Sequence, residues 1–352
     1  MYYWSVCVFL SMIIYTMLSL HISCVVRHNV KIMMKFVGVA LSGISAIIKI
    51  LSFKINRDSL INYHRTLNDL FEEELMQKNE KVQTIIFSPL PKISTLAYIY
   101  FAILTGIIFA YSKTPYICVI QNLLYFHLST NCTLPLSMGF GWFWTVPDNF
   151  LFHIHMFYET VLMTLSCMMA CSVDSTFGFY VYQFSSTIRS MMFALTNPLS
   201  TEKFSDLLRT CVVKHQKLLQ CRNTLEHVYG PIVFWHIISN AVLLCTIISD
   251  MTSLSGNVTS CIIYALIKLL QTFMYAWYGT LLTNAGEDFR QGIYFSKWLN
   301  SNLDCHVRTN VILMMMQKPM TVNAVFSPID VIMFSNFMNA TISYFFLLQS
   351  ME

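Results

Sequence analysis

Seven stretches of this chain, at 3–26, 32–53, 94–111, 150–172, 229–249, 259–282 and 328–350, are long, apolar and nearly free of charge. A helix needs about 20 such residues to cross a hydrocarbon core of about 30 Å, so each stretch is long enough for one span. The runs are rich in Leu, Ile, Met and Phe and lack the alternation of a barrel strand. Only 11% of the 352 residues are charged, against about a quarter in soluble domains. That is too little polar surface to clothe a soluble globule of this size. A soluble enzyme, a nucleic-acid binder and a disordered protein are excluded. The expected fold is all-α, a polytopic membrane protein with seven transmembrane helices.

Segments too charged to span separate the runs, at 54–92, 113–148, 189–228 and 283–327. Within 56–86, Leu60, Tyr63, Leu67, Leu70 and Leu75 recur at helical spacing beside an acidic patch at 72–74. This predicts a helix that extends the second span beyond the bilayer. Residues 305–318 form a half-length apolar piece. No internal repeat, low-complexity tract or clean domain boundary is visible. Residues 1–26 carry no charge and are too long for the apolar core of a signal peptide, so they read as a retained helix.

Seven spans put the termini on opposite sides. The segments 54–92, 189–228 and 283–327 hold 16 Lys and Arg; the other side holds 4, namely Arg27, Lys31, Lys35 and Lys113. Basic loops stay in the cytoplasm, which predicts an intracellular N-terminus and an extracellular C-terminus. Arg27, Lys31 and Lys35 are a local misfit that a basic segment before the first helix would resolve. The sequons at Asn131 and Asn257 fall on the outer side and are the expected glycosylation sites, whereas Asn339 lies within the last span. This orientation is opposite to that of a G-protein-coupled receptor, and the Asp-Arg-Tyr and Asn-Pro-x-x-Tyr signatures are absent.

No metalloprotease, nucleophile-elbow, Walker or dinucleotide motif occurs, so no enzyme activity, cofactor or metal is expected. His153 and His155 are two apart and point to different helix faces, which argues against a shared metal. Charges inside spans need a reason. Lys49, near the inner end of the second span, can snorkel to the interface. Glu159 and Lys268 are expected to face a watery cavity or a polar partner, and each is a candidate partner for the other. The eleven cysteines form no Cys-x-x-Cys pair. Cys118 and Cys132 share the outer segment 113–148, where a disulfide is permitted.

The C-terminal half carries an ordered set of motifs. Trp277-Tyr278-Gly279 closes the sixth span, followed by AGEDFRQGIYFSKW at 285–298 and Met315-Met316-Gln317-Lys318-Pro319. Phe326-Ser327-Pro328 and the ending ISYFFLL at 342–348 follow, with Ser172-Val173-Asp174-Ser175 and His215-Gln216-Lys217 upstream. Together these resemble the insect odorant receptor family over roughly 160–352; residues 30–110 agree only in spacing and composition.

The resemblance implies a ligand-gated, non-selective cation channel of the plasma membrane in olfactory neurons. The expected assembly is a heterotetramer with a shared co-receptor subunit, opened by a small volatile ligand. The second cytoplasmic segment is shorter than a co-receptor's, which implies a ligand-tuning subunit. Residues 1–282 would form the bundle with the ligand pocket, and 283–352 the anchor and the pore helix. The pore would run along Tyr344 and Leu347, with Leu347 at the hydrophobic gate and Gln349 near the outer mouth. Helix depth proposes ligand contacts at Phe36 and Ala40, Leu104 and Ile108, Phe157 and Glu159, and Tyr264. Glu159 would suit an amine or hydroxyl-bearing ligand. Family members normally have a cytoplasmic segment before the first helix. The alternatives are a gustatory receptor channel, whose ending 343–350 fits only in part, and a secondary transporter, whose inverted repeats are not seen.

Overall fold

The computed structural model describes residues 2–76, 80–125, 134, 150–198, 204–252, 258–296, 298, 305–316 and 320–351. These residues are almost entirely helical: α1 (Tyr2–Val25), α2 (Val30–Ile55), α3 (Arg57–Leu75), α4 (Glu80–Phe87), α5 (Leu90–Tyr125), α6 (Phe150–Thr196), α7 (Phe204–Thr252), α8 (Val258–Phe295), α9 (Cys305–Met316) and α10 (Val331–Met351). A short antiparallel hairpin, β1 (Asn323–Ala324) and β2 (Ser327–Pro328), precedes α10. Among the described residues, six helices are long and apolar enough to cross a membrane: α1, α2, α5, α6, α7 and α8. The described part of α10 adds a shorter apolar stretch, Val331–Leu347.

The described parts of the charged segments are largely helix as well. At 1.5 Å per residue, α6 and α7 (47 and 49 residues) each run about 70 Å, more than twice a hydrocarbon core. The expected third span is also longer than its apolar run, since α5 continues through Pro115 to Tyr125. Beyond the lengths a membrane needs, α3, α4 and α9 pack against α6, α7 and α8. The main core lies largely there. Residues 180–188 of α6 are buried around the whole helix, so this stretch is the axis of that part of the bundle.

The predicted helix within 56–86 is interrupted. Asn56 ends α2, donating its N–H to the Ser52 carbonyl at 3.2 Å, and α3 resumes at Arg57. Leu60, Tyr63, Leu67 and Leu70 are buried along one face, as their spacing requires, and Leu75 is half-buried. The acidic patch divides. Glu73 is exposed, whereas Glu74 is 2% exposed and lies between α6 and α7. Lys214 Nζ donates to Glu74 Oε1 at 2.5 Å and lies 3.0 Å from Glu73, while Ser190 Oγ donates to Glu74 Oε2. Removing the ammonium leaves a buried carboxylate short of a donor. Lys214→Met should therefore cost about 2–3 kcal/mol, read as a lower thermal midpoint of the detergent-solubilised protein. An unchanged midpoint would show that Glu74 finds another cation or becomes neutral.

The hairpin is fastened to α7. Asn323 donates from its backbone N–H and its side-chain amide to the Glu226 carboxylate, each at 3.3 Å. Val325 at its tip has φ 60°, a costly conformation for a β-branched residue. The following Phe326 donates back to the Ala324 carbonyl at 2.7 Å, closing a three-residue turn. This hairpin sets where α10 begins, and α10 then packs on α7 and α8.

Candidate ligand-binding site

A cavity of about 530 Å³ lies among α1, α2, α5, α6, α7 and α8. One face of α2 forms its long wall, with Lys35, Val39, Ser42, Ala46 and Lys49 recurring at steps of four and three. From residue 35 to 49 that wall runs about 21 Å. Apolar side chains dominate, including Phe36, Leu104, Ile107, Leu162 and Leu243. A small number of polar groups interrupts them, the composition of a small-molecule pocket.

Several polar groups converge at one end, where α6 contributes Asp174. Asp174 is 2% exposed and takes donors from three other helices. Lys49 Nζ (α2) and Tyr275 Oη (α8) donate to Oδ1 at 2.6 and 2.5 Å. Tyr100 Oη (α5) and Gln271 Nε2 (α8) donate to Oδ2 at 2.8 and 2.6 Å. An ionised carboxylate offers about four acceptor positions, so this one is filled. A buried ion pair holds only when such extra hydrogen bonds offset desolvation. One turn further along α6, Phe177 packs on Tyr229 and Tyr275, with ring centroids 4.7 and 5.2 Å apart. Lys49, Tyr100 and Gln271 thus form a polar floor of the cavity, with an aromatic layer on its far side.

Lys49 does not snorkel: it is 2% exposed and paired inside the bundle with Asp174, 2.6 Å away. Glu159 and Lys268 do not pair. Glu159 lies 3.0 Å from His155 Nε2 and accepts from Tyr15 Oη at 3.4 Å, while Lys268 Nζ sits 5.4 Å from the Tyr264 ring centroid. Of the proposed ligand contacts, Phe36, Leu104 and Tyr264 line this cavity, and Tyr264 shares a 2.9 Å hydrogen bond with Ser42. Ala40 and Glu159 are fully buried, Ile108 is half-buried and Phe157 is 65% exposed; none of the four is among the lining residues. Helix depth alone leaves rotation open, and one residue turns a helix by about 100°. The sequence reading had no means of assigning Asp174 its central role, since its partners lie 74 to 125 residues away.

On α10, Tyr344 and Leu347 are 59% and 55% exposed in this single chain. Gln349 belongs to the same helix, but its side chain lies outside the described ones. Asn131, Cys132 and Asn257 also lie outside the described residues. Cys118 is disulfide-bonded. No group of three or more potential metal ligands occurs among the described residues.

A sequence profile of the 7tm Odorant receptor family matches residues 29–342. The chain belongs to that family. Similar proteins include Odorant receptor 9a of Drosophila melanogaster, 24% identical over 57% of this chain and 52% of that relative. Odorant receptor 94a of the same fly is 20% identical over 47% of this chain and 45% of its own length. The chain thus spans about half the length of the curated relatives it matches. The fold is that of the insect olfactory receptor OR5 from Machilis hrabei, with a TM-score of 0.81 at 15% identity, covering 99% of this chain and 89% of that one. The OR5 structure in complex with eugenol gives a TM-score of 0.77, also at 15% identity, over 97% and 88% of the two chains.

Proposed function

We propose that this odorant receptor chain is a ligand-tuning subunit of an odorant-gated, non-selective cation channel in the plasma membrane of olfactory neurons. It would assemble with the co-receptor subunit as a heterotetramer, with its N-terminus in the cytoplasm. The observation that carries this reading is the 530 Å³ cavity, an apolar chamber with a confined polar floor, inside a chain of this family. Its size and lining suit a small volatile molecule, and eugenol is the ligand of the OR5 complex of the same fold.

In this reading residues 1–282 hold the ligand and 283–352 the anchor and pore. The exposed apolar face of α10, with Tyr344 and Leu347, would meet the same helix of neighbouring subunits. A ring of Leu347 side chains would close the pore by dewetting and needs no charged plug. Gln349 would stand near the outer mouth. Phe36, Leu104 and Tyr264 are the proposed ligand contacts that also line the cavity.

Filling the cavity tests the assignment. Ser166 lines it and is half-buried, so Ser166→Phe places a ring in the space a ligand would use. With the co-receptor subunit present, surface expression should persist while the half-maximal odorant concentration rises by about 10-fold or more. An unaltered dose–response curve would move the ligand site elsewhere.

A further inference from the structure

The charges around the cavity do not balance. Among the described residues its lining includes Lys35, Lys49 and Lys268 and no Asp or Glu. Lys35 is an exposed residue of the outer part of the α2 wall, and Lys49 is matched by Asp174. Lys268 has no such match. It lies on the face of α8 that carries Tyr264, Lys268, Gln271 and Tyr275 at steps of four, three and four. Its neighbours on that face are all engaged: Tyr264 with Ser42, and both Gln271 and Tyr275 with Asp174. Lys268 Nζ has the Tyr264 ring at 5.4 Å, and no ion pair or hydrogen bond from it is found among the described residues.

A ring face is a weak substitute for a counter-ion. Asp174 offers it no hydrogen bond, because its four acceptor positions are filled. Glu159 cannot serve either, since it is not in the lining and is engaged with His155 and Tyr15. Asp174, Lys49 and Lys268 together leave one positive charge at the deep end of an apolar chamber. Unmatched charge in such surroundings is costly. An anion bound there would balance that charge.

We propose that the cavity selects small carboxylic acids, the carboxylate accepting a charge-assisted hydrogen bond from Lys268 Nζ. The hydrocarbon tail lies among Phe36, Leu104 and Leu243. This rests on the cavity being the odorant site. It departs from the amine or hydroxyl-bearing ligand that Glu159 suggests from sequence, because Glu159 is not in the lining and Lys268 is.

The experiment uses a panel of one chain length, hexanoate, hexan-1-ol and hexylamine, applied to cells expressing the full chain with the co-receptor subunit. Hexanoate should gate at the lowest concentration and hexylamine at the highest. Lys268→Gln should raise the half-maximal hexanoate concentration by about 10- to 100-fold and the hexan-1-ol concentration far less, and a retained hexan-1-ol current shows that the variant folds. Lys268→Arg should retain the preference for the acid. Equal sensitivity to acid and amine, or an equal loss for every ligand in Lys268→Gln, overturns the proposal. A response to hexan-1-ol or hexylamine without one to hexanoate sinks the acid preference alone. Silence towards all volatiles, with the protein at the surface, removes the odorant reading as well.

Discussion

Asp174→Ala is expected to leave little folded receptor. The substitution removes the acceptor of four hydrogen bonds and strands Lys49, itself 2% exposed, without a counter-ion. Breaking one side of a buried ion pair costs about 3–5 kcal/mol, comparable to the whole stability of many domains. Asp174→Asn keeps the shape but turns an NH₂ group towards two donors, so it should fail almost as badly. Adding Lys49→Met to Asp174→Asn removes the stranded charge and should recover part of the loss. The readout is the monodisperse fraction and thermal midpoint of solubilised protein. Wild-type behaviour of Asp174→Ala would mean that the carboxylate does not join α2, α5, α6 and α8.

The second large effect belongs to Gly279. A Cβ there would collide with the Ile329 carbonyl oxygen, a backbone atom of the segment leading into α10. No flexible side chain can yield, so α8 and that segment must part. The preceding residue works in the same way: a Cβ on Gly178 would meet the Tyr278 ring at 2.6 Å. Tyr278 and Gly279 therefore set two close approaches, α8 to α6 and α8 to the start of α10. Gly279→Ala should cost about 3 kcal/mol and abolish odour-evoked current even where protein still reaches the surface. Gly106→Ala is the control, because nothing lies within 4 Å of its Cβ. Full current from Gly279→Ala would show that the start of α10 can shift without consequence for gating.

The legible part of the structure is the part written in periodicity. Leu60, Tyr63, Leu67 and Leu70 face the core because steps of three and four place them on one side of a helix. Lys49 and Lys268 stand out by being charged within apolar runs, and both line the cavity. What periodicity cannot convey is which distant groups meet. Asp174 follows a short polar stretch at the end of an apolar run and looks like a boundary residue, yet it has donors from three other helices. Glu74 is hidden within an acidic triplet that reads as a solvated face, and only helix rotation turns it inward. Rotation likewise separates Phe36, which lines the cavity, from Phe157, which is 65% exposed. Gly279 is visible as part of a motif, but the reason for a glycine appears only once Ile329 stands against it.

The most direct test is an electrical one. The full chain and the co-receptor subunit are expressed together, surface arrival is verified, and current is recorded during pulses of small volatiles. An odorant-gated channel predicts a rapid, reversible current carried alike by sodium and potassium, set by the ligand and weakened by Ser166→Phe. A surface-expressed complex that stays silent to every volatile, or a current indifferent to the cavity, would contradict it.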